Sequence, residues 1–285
     1  MTSPTARAVS ASVEDLRDGL RALGRVVVAF SGGADSAFLA WMAHDTLGPD
    51  RALAVTAVSP SLPAAERAES ADLAAEWGLR WREVETDELA DDAYTRNDAD
   101  RCYWCKDALL RAAAPLAHAE GATVVLGVNV DDLGDHRPGQ RAATERGAVF
   151  PLVDARFTKA DVRAWSRRLG LRTWDKPAAA CLASRLPYGT PVTLGRLATV
   201  EGAEAALRAL GFRELRVRHY GDTARLEVAL DRLADVVALR VEVVAAVQAA
   251  GYRYVTLDLE GLRSGNLNAA LGLTGRPGGV GGPRR

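Results

Sequence analysis

The sequence is poor in the features that mark membrane-bound, secreted and nucleic-acid-binding proteins. No apolar run approaches the length of a membrane span, and residues 1–12 are small and polar rather than a hydrophobic leader. Three cysteines are an odd number, which in a reducing compartment indicates ligand or catalytic chemistry rather than a disulfide framework. The net charge of −1 gives no bulk attraction to nucleic acid or to an anionic lipid surface. We therefore expect a cytoplasmic protein with no membrane and no nucleic-acid partner.

The first two thirds of the chain alternate short β-branched runs with helical patterns. This order is typical of βαβ units, whose parallel strands form a sheet covered by helices on both faces. Ligands bind such sheets beyond the carboxyl ends of the strands. Ser12 and Thr158 are predicted helix caps, each with an acidic residue three positions later. We predict strands at 25–30, 53–58, 79–84 and 123–128, and helices at 12–23, 64–77, 106–119 and 158–169, with a further helix that starts at residue 37.

The pattern changes in the last third of the chain. A helix at 194–210, strands at 215–220 and 223–228, a helix at 233–250 and a strand at 254–257 indicate a smaller α+β domain. The Gly- and Pro-rich end cannot bury apolar surface. We divide the chain into an α/β domain at 12–175, a cysteine-bearing segment at 176–189, an α+β domain at 190–272 and a disordered tail at 273–285.

The hexapeptide Ser31-Gly32-Gly33-Ala34-Asp35-Ser36 separates the first predicted strand from the helix that follows it. Adjacent glycines let the backbone approach a ligand closely, and the amides at the start of a helix attract an anion. The loop has no G-K-[ST] ending and so lacks the lysine of a Walker loop. A glycine turn that merely ends a strand is the alternative, but the whole hexapeptide favours a nucleotide site. Asp35 would orient the loop, contact Mg²⁺ or cap the helix.

Gly127, Asn129, Asp131 and Asp132 follow the fourth predicted strand. Because carboxyl ends of parallel strands share one edge of a sheet, this group should open beside the glycine loop. Its carboxylates suit Mg²⁺ or the hydroxyls of a ribose. An acidic turn with Asx geometry is the alternative for each residue.

Cys102 and Cys105 form a C-x-x-C pair, and Cys181 lies in the segment 176–189. The residues alone leave open a zinc half-site, a redox pair or part of an iron–sulfur site. Together with His219 the three cysteines could also form a closed zinc site. Three buried thiols that act as small apolar side chains are the remaining possibility.

Five segments of the chain together resemble the LarE family. These are ATP-dependent sulfur transferases that help to build the nickel-pincer nucleotide cofactor of lactate racemase and related enzymes. The match extends from about residue 12 to residue 268, in the same order. The hexapeptide is shared with other enzymes that split ATP between its α and β phosphates, whereas the 181–189 segment is nearly diagnostic. The segments are 31–36, 101–106, 127–139, 176–189 and 216–219.

The resemblance implies an α/β fold of the PP-loop ATP pyrophosphatase type (adenine nucleotide alpha hydrolase-like) with a smaller α+β C-terminal domain. It also implies a substrate, a pyridinium mononucleotide that bears two carboxylates. ATP adenylates a carboxylate and releases pyrophosphate, and a sulfur nucleophile then displaces AMP to leave a thiocarboxylate. A second round converts the other carboxylate. Relatives also suggest a homo-oligomer. ATP and Mg²⁺ are the implied cofactors, with Ser31, Gly32, Gly33, Asp35, Ser36, Gly127, Asn129, Asp131 and Asp132 as the residues that bind them.

The family has two ways to supply sulfur. In one branch the cysteine that matches Cys181 is the donor and is left as dehydroalanine. In the other branch three cysteines hold a [4Fe-4S] cluster that carries an extra sulfide. This chain has all three, so the resemblance favours Cys102, Cys105 and Cys181 as cluster ligands, with sacrifice of Cys181 as the alternative.

Several polar and aromatic residues are predicted to bind the substrate or act on it. Arg216 and Arg218 alternate on one strand and share a face, and arginine suits phosphate and carboxylate groups. A solvated sheet face is their alternative. The predicted catalytic residues are Cys181, Asp35 and Arg185, and the predicted substrate-binding residues are Arg185, Arg216, Arg218, Glu204 and Trp104.

Two other functions compete with this one. A related adenylating enzyme that thiolates or amidates tRNA would use the same loop, but the chain shows no basic RNA-binding face. A nucleotide or metal sensor would use the cysteines to hold structural zinc.

Overall fold

A computed structural model describes residues 10–134, 138–177 and 179–263. The predicted tail at 273–285 lies outside the described residues. The chain forms two compact units. The first ends at Cys181 and omits Asn97–Ala99, and the second comprises Asn97–Ala99 and the chain from Leu182 onward. This boundary falls inside the segment 176–189.

The first unit contains a four-stranded parallel sheet in the order β3-β2-β1-β4, which confirms the predicted fold class. Its strands are β1 (Val26–Ala29), β2 (Ala52–Val58), β3 (Trp81–Glu85) and β4 (Thr123–Leu126). The eight helices described in this unit are α1 (Ser10–Leu23), α2 (Ala34–Leu47), α3 (Ala64–Glu76), α4 (Asp92–Thr95), α5 (Arg101–Glu120), α6 (Pro138–Glu145), α7 (Pro151–Asp154) and α8 (Lys159–Arg168).

Apolar side chains on β1 cover both faces of the sheet. Val26 and Val28 pack in one cluster with Leu16 of α1 and Phe38 of α2. Val27 points to the opposite face, in a cluster with Ala117 of α5. The alternation of side chains along a strand therefore places helices on both sides, as the continuous apolar character of β1 predicts.

Several helices in this unit differ from the predictions. Helix α5 begins at Arg101 rather than at residue 106, so both cysteines of the C-x-x-C pair lie in its first two turns. The helices α6 and α7 were not predicted, since each opens with a proline that resembles a break in the sequence. Proline is tolerated there because the amide it lacks has no partner in the first turn. Helix α1 begins at Ser10, so Ser12 is not its cap.

The second unit has a three-stranded mixed sheet, in the order β5-β6-β7. The strands β5 (Leu215–Tyr220) and β6 (Thr223–Val228) are antiparallel, and β7 (Tyr254–Leu257) lies parallel to β6. The three helices described here are α9 (Leu194–Ala209), α10 (Leu233–Ala238) and α11 (Arg240–Ala249). The predicted helix at 233–250 is therefore two helices, because Leu239 leaves the helical region with ψ of 23°. Across the described ranges of both units, no helix is long and apolar enough to cross a membrane.

Candidate active site

The glycine loop joins β1 to α2 and leaves the start of that helix open. Gly32 has φ of +67°, and a Cβ there would lie 2.8 Å from Ser70 Oγ, so the turn requires glycine. Gly33 is the N-cap and offers no side-chain acceptor to the first-turn amides. These amides and the helix dipole can therefore bind an anion. The Ser36 hydroxyl accepts a hydrogen bond from the Ser31 amide (3.2 Å) and donates one to the Gly33 carbonyl (3.1 Å). It shapes the loop, whereas Ser31 is exposed.

The end of β4 packs directly on this loop. A Cβ at Gly127 would lie 2.8 Å from backbone atoms of Asp35 and Ser36, so no other residue fits between β4 and α2. Asn129 is fully buried, and its Nδ2 atom donates a hydrogen bond to Asp35 Oδ1 at 3.0 Å. Its backbone amide donates to Asp132 Oδ2 at 3.2 Å. The structure thus brings together five predicted nucleotide-site residues from two strand ends, namely Asp35, Ser36, Gly127, Asn129 and Asp132.

The two carboxyl groups of this cluster are electrostatically coupled. Burial raises the pKa of Asp35 and the charge of Asp132 raises it further, while Lys159 and the hydrogen bond from Asn129 oppose the shift. A divalent cation would relieve the repulsion and favour the ionised form, which suits Mg²⁺. Asp131 is exposed, and its carboxylate accepts a hydrogen bond from the Lys159 amide at 2.8 Å. Its role in the structure is to hold the start of α8.

The cysteines form a group at the start of α5. Cys102 is exposed, and Cys105 and Cys181 are half-buried. Burial raises the pKa of Cys105 to about 12, with further contributions from the charges of Cys181, Glu88 and Cys102, so the thiols lie within electrostatic range of one another. Lys106 opposes that shift, and burial lowers its own pKa.

Two residues near the thiols were not predicted from the sequence. Tyr94 is buried, bonds Ser61 Oγ through its hydroxyl at 2.6 Å, and has its pKa raised by burial and by the charges of Cys181 and Cys105. Glu88 is buried and its Oε2 atom has no hydrogen-bond partner. Both belong to the polar run 87–100, whose sequence lacks a periodic pattern that would have indicated burial.

The thiol group does not form a single-ion metal site with its described neighbours. Over residues 10–134, 138–177 and 179–263, no three His, Cys, Asp or Glu side chains are arranged to hold a single metal ion. His219 bonds the Tyr252 hydroxyl within the second unit, at 3.1 Å. A [4Fe-4S] cluster is larger than a single ion and is held by cysteine thiolates, which is the type of donor that this group of residues offers.

A network of buried ion pairs occupies the second unit. Glu204 is fully buried and accepts hydrogen bonds from Arg185 (2.8 and 3.1 Å), Arg208 (2.8 Å) and the Val217 amide (3.1 Å). Its acceptor sites are thus used within the protein. Glu204 thus pairs with Arg185 and Arg208, and its binding of substrate stays a prediction.

The predicted arginine pair on β5 lies on the polar face of that strand. Arg218 donates to the carboxylate of Glu227 at 2.9 Å and to the Ser184 carbonyl at 2.8 Å, while its Nε atom is buried without a partner. Arg216 donates to the Arg263 carbonyl at 3.1 Å. Burial and the charges of Arg218 and Arg185 lower the pKa of Arg216. The cluster therefore has a surplus of positive charge that an anion would offset.

Trp104, the predicted stacking residue, lies on α5 between the two cysteines of the pair. Its ring meets that of Tyr103 edge-on, with centroids 5.0 Å apart. Trp104 is half-buried, and Cys102 in the same turn is exposed.

Comparison with known proteins agrees with this geometry. The sequence model of the NAD synthase family matches residues 8–123, the region that contains β1, β2, β3 and the glycine loop. The first unit thus has the fold of a PP-loop domain.

The relatives extend over nearly the whole chain. It is 41% identical over 253 residues to the pyridinium-3,5-bisthiocarboxylic acid mononucleotide synthase of Lactiplantibacillus plantarum, covering 88% of this chain and 92% of that protein. An uncharacterised protein of Synechocystis is 45% identical over 92% of this chain and 99% of its own length, and one of Methanocaldococcus jannaschii is 25% identical over 84% and 91%. This chain belongs to the LarE family.

Proposed function

We propose that the chain is an ATP-dependent sulfur transferase that converts the carboxylates of a pyridinium biscarboxylate mononucleotide to thiocarboxylates, for a nickel-pincer cofactor. The observation that carries the proposal is the 41% identity, over 92% of its length, to a relative named as the synthase of the bisthiocarboxylate product. The open amides of the glycine loop and the three neighbouring cysteines support it independently, because they supply an anion site and sulfur chemistry in one unit.

The glycine loop would bind the phosphates of ATP. Its amides hold the β and γ phosphates, Asp35 and Asp132 hold Mg²⁺ through their carboxylates, and Asn129 fixes the orientation of Asp35. A substrate carboxylate oxygen then forms a bond to the α phosphorus, and the bond from that phosphorus to the bridging oxygen breaks. The electron pair leaves with pyrophosphate, and the substrate becomes an acyl adenylate. The loop amides would stabilise the charge that develops on the leaving group, and Mg²⁺ held by the carboxylates would supply further positive charge there.

Arg216 and Arg218 would bind the anionic groups of the substrate. Their pairing to Glu227 and to main-chain carbonyls leaves the Nε atom of Arg218 unpaired and Arg216 without a carboxylate partner among the described contacts. A phosphate or carboxylate matches the planar donors that remain. Arg185, held by Glu204, would supply a further cation for the anionic substrate.

Cys102, Cys105 and Cys181 would hold the [4Fe-4S] cluster. When bound, the cluster supplies a sulfide for displacement of AMP. In the second route Cys181 is itself the sulfur donor and is sacrificed. That route would need one thiolate and no iron. Tyr94, whose hydroxyl is held by Ser61, would lie near this sulfur, since it is within electrostatic range of Cys105 and Cys181. We also propose that the protein is a homo-oligomer in the cytoplasm.

Anaerobic purification and turnover test the proposal together. A brown protein that forms AMP and thiocarboxylate from ATP, Mg²⁺ and the pyridinium biscarboxylate mononucleotide supports it. Cys181→Ala should abolish the thiocarboxylate and retain AMP formation. Equal loss of both activities contradicts the assigned role of Cys181, and no AMP above the protein-free control contradicts the enzyme. A colourless protein with stoichiometric zinc favours a sensor, and activity on tRNA favours a thiolating or amidating relative.

A further inference from the structure

A lysine from a distant part of the chain reaches the glycine loop. The loop lacks the lysine that a Walker loop carries at its end. In the folded unit the Nζ atom of Lys176 donates a hydrogen bond to the Gly32 carbonyl at 3.1 Å. The same ammonium pairs with Glu66 Oε2 at 2.8 Å, in the first turn of α3. A cation is therefore anchored at the turn that exposes the amides of the loop.

The ammonium of Lys176 has unused hydrogen-bonding capacity. An ammonium carries three donors, and the contacts recorded for Lys176 account for two of them. Its side chain is 16% exposed, so its charge is only partly screened by water. The third donor is available to an anion that enters the loop.

The distribution of lysine in the sequence supports a specific role for this residue. Of 36 basic residues only Lys106, Lys159 and Lys176 are lysines, and the other 33 are arginines. Lys106 is within electrostatic range of the thiols, Lys159 of Asp35, and Lys176 contacts the loop. A chain that otherwise uses arginine thus has lysine where a compact point charge, rather than a wide planar fork, fits a crowded site.

We propose that Lys176 is a phosphate-binding residue that supplies the lysine missing from the loop. This inference rests on the proposed function. Glu66 and the Gly32 carbonyl hold the ammonium so that its third N–H donates to a non-bridging oxygen of the β phosphate. During adenylation the electron pair of the broken bond moves to pyrophosphate, and Lys176 stabilises that charge while it keeps all its protons. No proton is transferred in this step.

Binding of three ligands to Lys176→Met tests the proposal, since they differ in which phosphates they contain. We expect the affinities for ATP with Mg²⁺ and for pyrophosphate with Mg²⁺ to fall about 10- to 100-fold, as for loss of a charge-assisted hydrogen bond. The affinity for AMP should stay within about twofold of wild type, because AMP has no β phosphate. The matched control is Arg67→Met. It removes a surface cation of α3 that pairs with Glu83 of β3, and it should change none of the three affinities.

Lys176→Arg keeps the charge and addresses the case in which methionine impairs folding. Its affinity for pyrophosphate should lie between those of wild type and Lys176→Met, with a wild-type circular dichroism spectrum. The inference is overturned if Lys176→Met binds pyrophosphate as wild type does, or if it weakens AMP as much as ATP, which would indicate that Lys176 only fastens the loop. If wild type itself binds neither ATP nor pyrophosphate, the proposed function fails together with the inference. If the wild-type protein turns over its substrate and Lys176→Met binds pyrophosphate as tightly as wild type does, the inference is refuted while the proposed function stands.

Discussion

Replacement of Gly33 should separate ligand binding from folding. Its φ of −74° and ψ of 158° suit any L residue. Apart from its chain neighbours, an added Cβ would contact one described atom within 4 Å, Ser31 Oγ at 3.6 Å, which is an ordinary contact distance. Alanine at such a position lowers the entropy of the unfolded chain. Gly33→Ala is therefore expected to keep the free energy of unfolding or raise it by about 0.4–1 kcal/mol.

The same methyl group should weaken ATP binding. It would occupy space through which a phosphate approaches the amides at the start of α2. A hydrogen bond to a charged group contributes about 1.5–3 kcal/mol, so loss of one corresponds to about 10- to 100-fold weaker affinity. No folded-state contact requires glycine at this position, so a loss of affinity would report the ligand itself.

Calorimetric titration with ATP and Mg²⁺, and urea unfolding of the same variants, provide the measurement. Gly19→Ala in α1 is the matched control, since its Cβ would meet nothing within 4 Å, and both properties should be preserved. Gly32→Ala should lose stability, because its φ of +67° is strained for alanine. Wild-type ATP affinity in Gly33→Ala, or a loss of stability equal to that of Gly32→Ala, would refute the reasoning.

Three further predictions concern other parts of the site. Burial raises the pKa of Asp35, so the stability linked to this carboxyl is lost as pH rises through the raised pKa. Asp35→Asn should therefore be more stable to urea than wild type at pH 7, and the difference should close below pH about 3.9. The same variant should lose Mg²⁺-dependent AMP formation. Glu204→Ala leaves two arginines and an amide uncompensated and should lower the free energy of unfolding by about 3–5 kcal/mol, whereas an unchanged denaturation midpoint would contradict the network. In iron-free protein at neutral pH, iodoacetamide should modify exposed Cys102 before Cys105, because the pKa of about 12 at Cys105 disfavours its thiolate. Reconstitution with iron and sulfide should protect Cys102. Mass spectrometry of the modified protein is the measurement, and modification of Cys105 first would contradict the prediction.

Local patterns in the sequence predict the fold well where each element has its own signal. The ranges of β5, β6 and β7 agree with the prediction to the residue, because alternating apolar residues end at Gly221 and at the start of later turns. The capping box of α8 forms as predicted, with Thr158 and Asp161 each satisfying the backbone of the other. The start of α5 was missed because a C-x-x-C pair among polar residues has no helical period, although its first turn is helical.

The candidate site was predictable where chain topology alone brings residues together. Gly127 and Asn129 reach the glycine loop because the ends of parallel strands share an edge, so the sequence placed them correctly near Asp35. The contact of Lys176 with Gly32 was not predictable, since it joins residues on different elements without a local pattern. Contacts of this kind depend on how the elements pack together, which local sequence patterns do not indicate.

Mass spectrometry of the products, with AMP counted in the same reaction, tests the central claim most directly. Anaerobic protein, ATP, Mg²⁺ and the pyridinium biscarboxylate mononucleotide should give one AMP for every oxygen that sulfur replaces, and therefore two for the bisthiocarboxylate. Cys181→Ala should form AMP without any sulfur-containing product. Thiocarboxylate formed without AMP, or AMP formation that does not depend on the mononucleotide, would contradict an acyl adenylate as the intermediate.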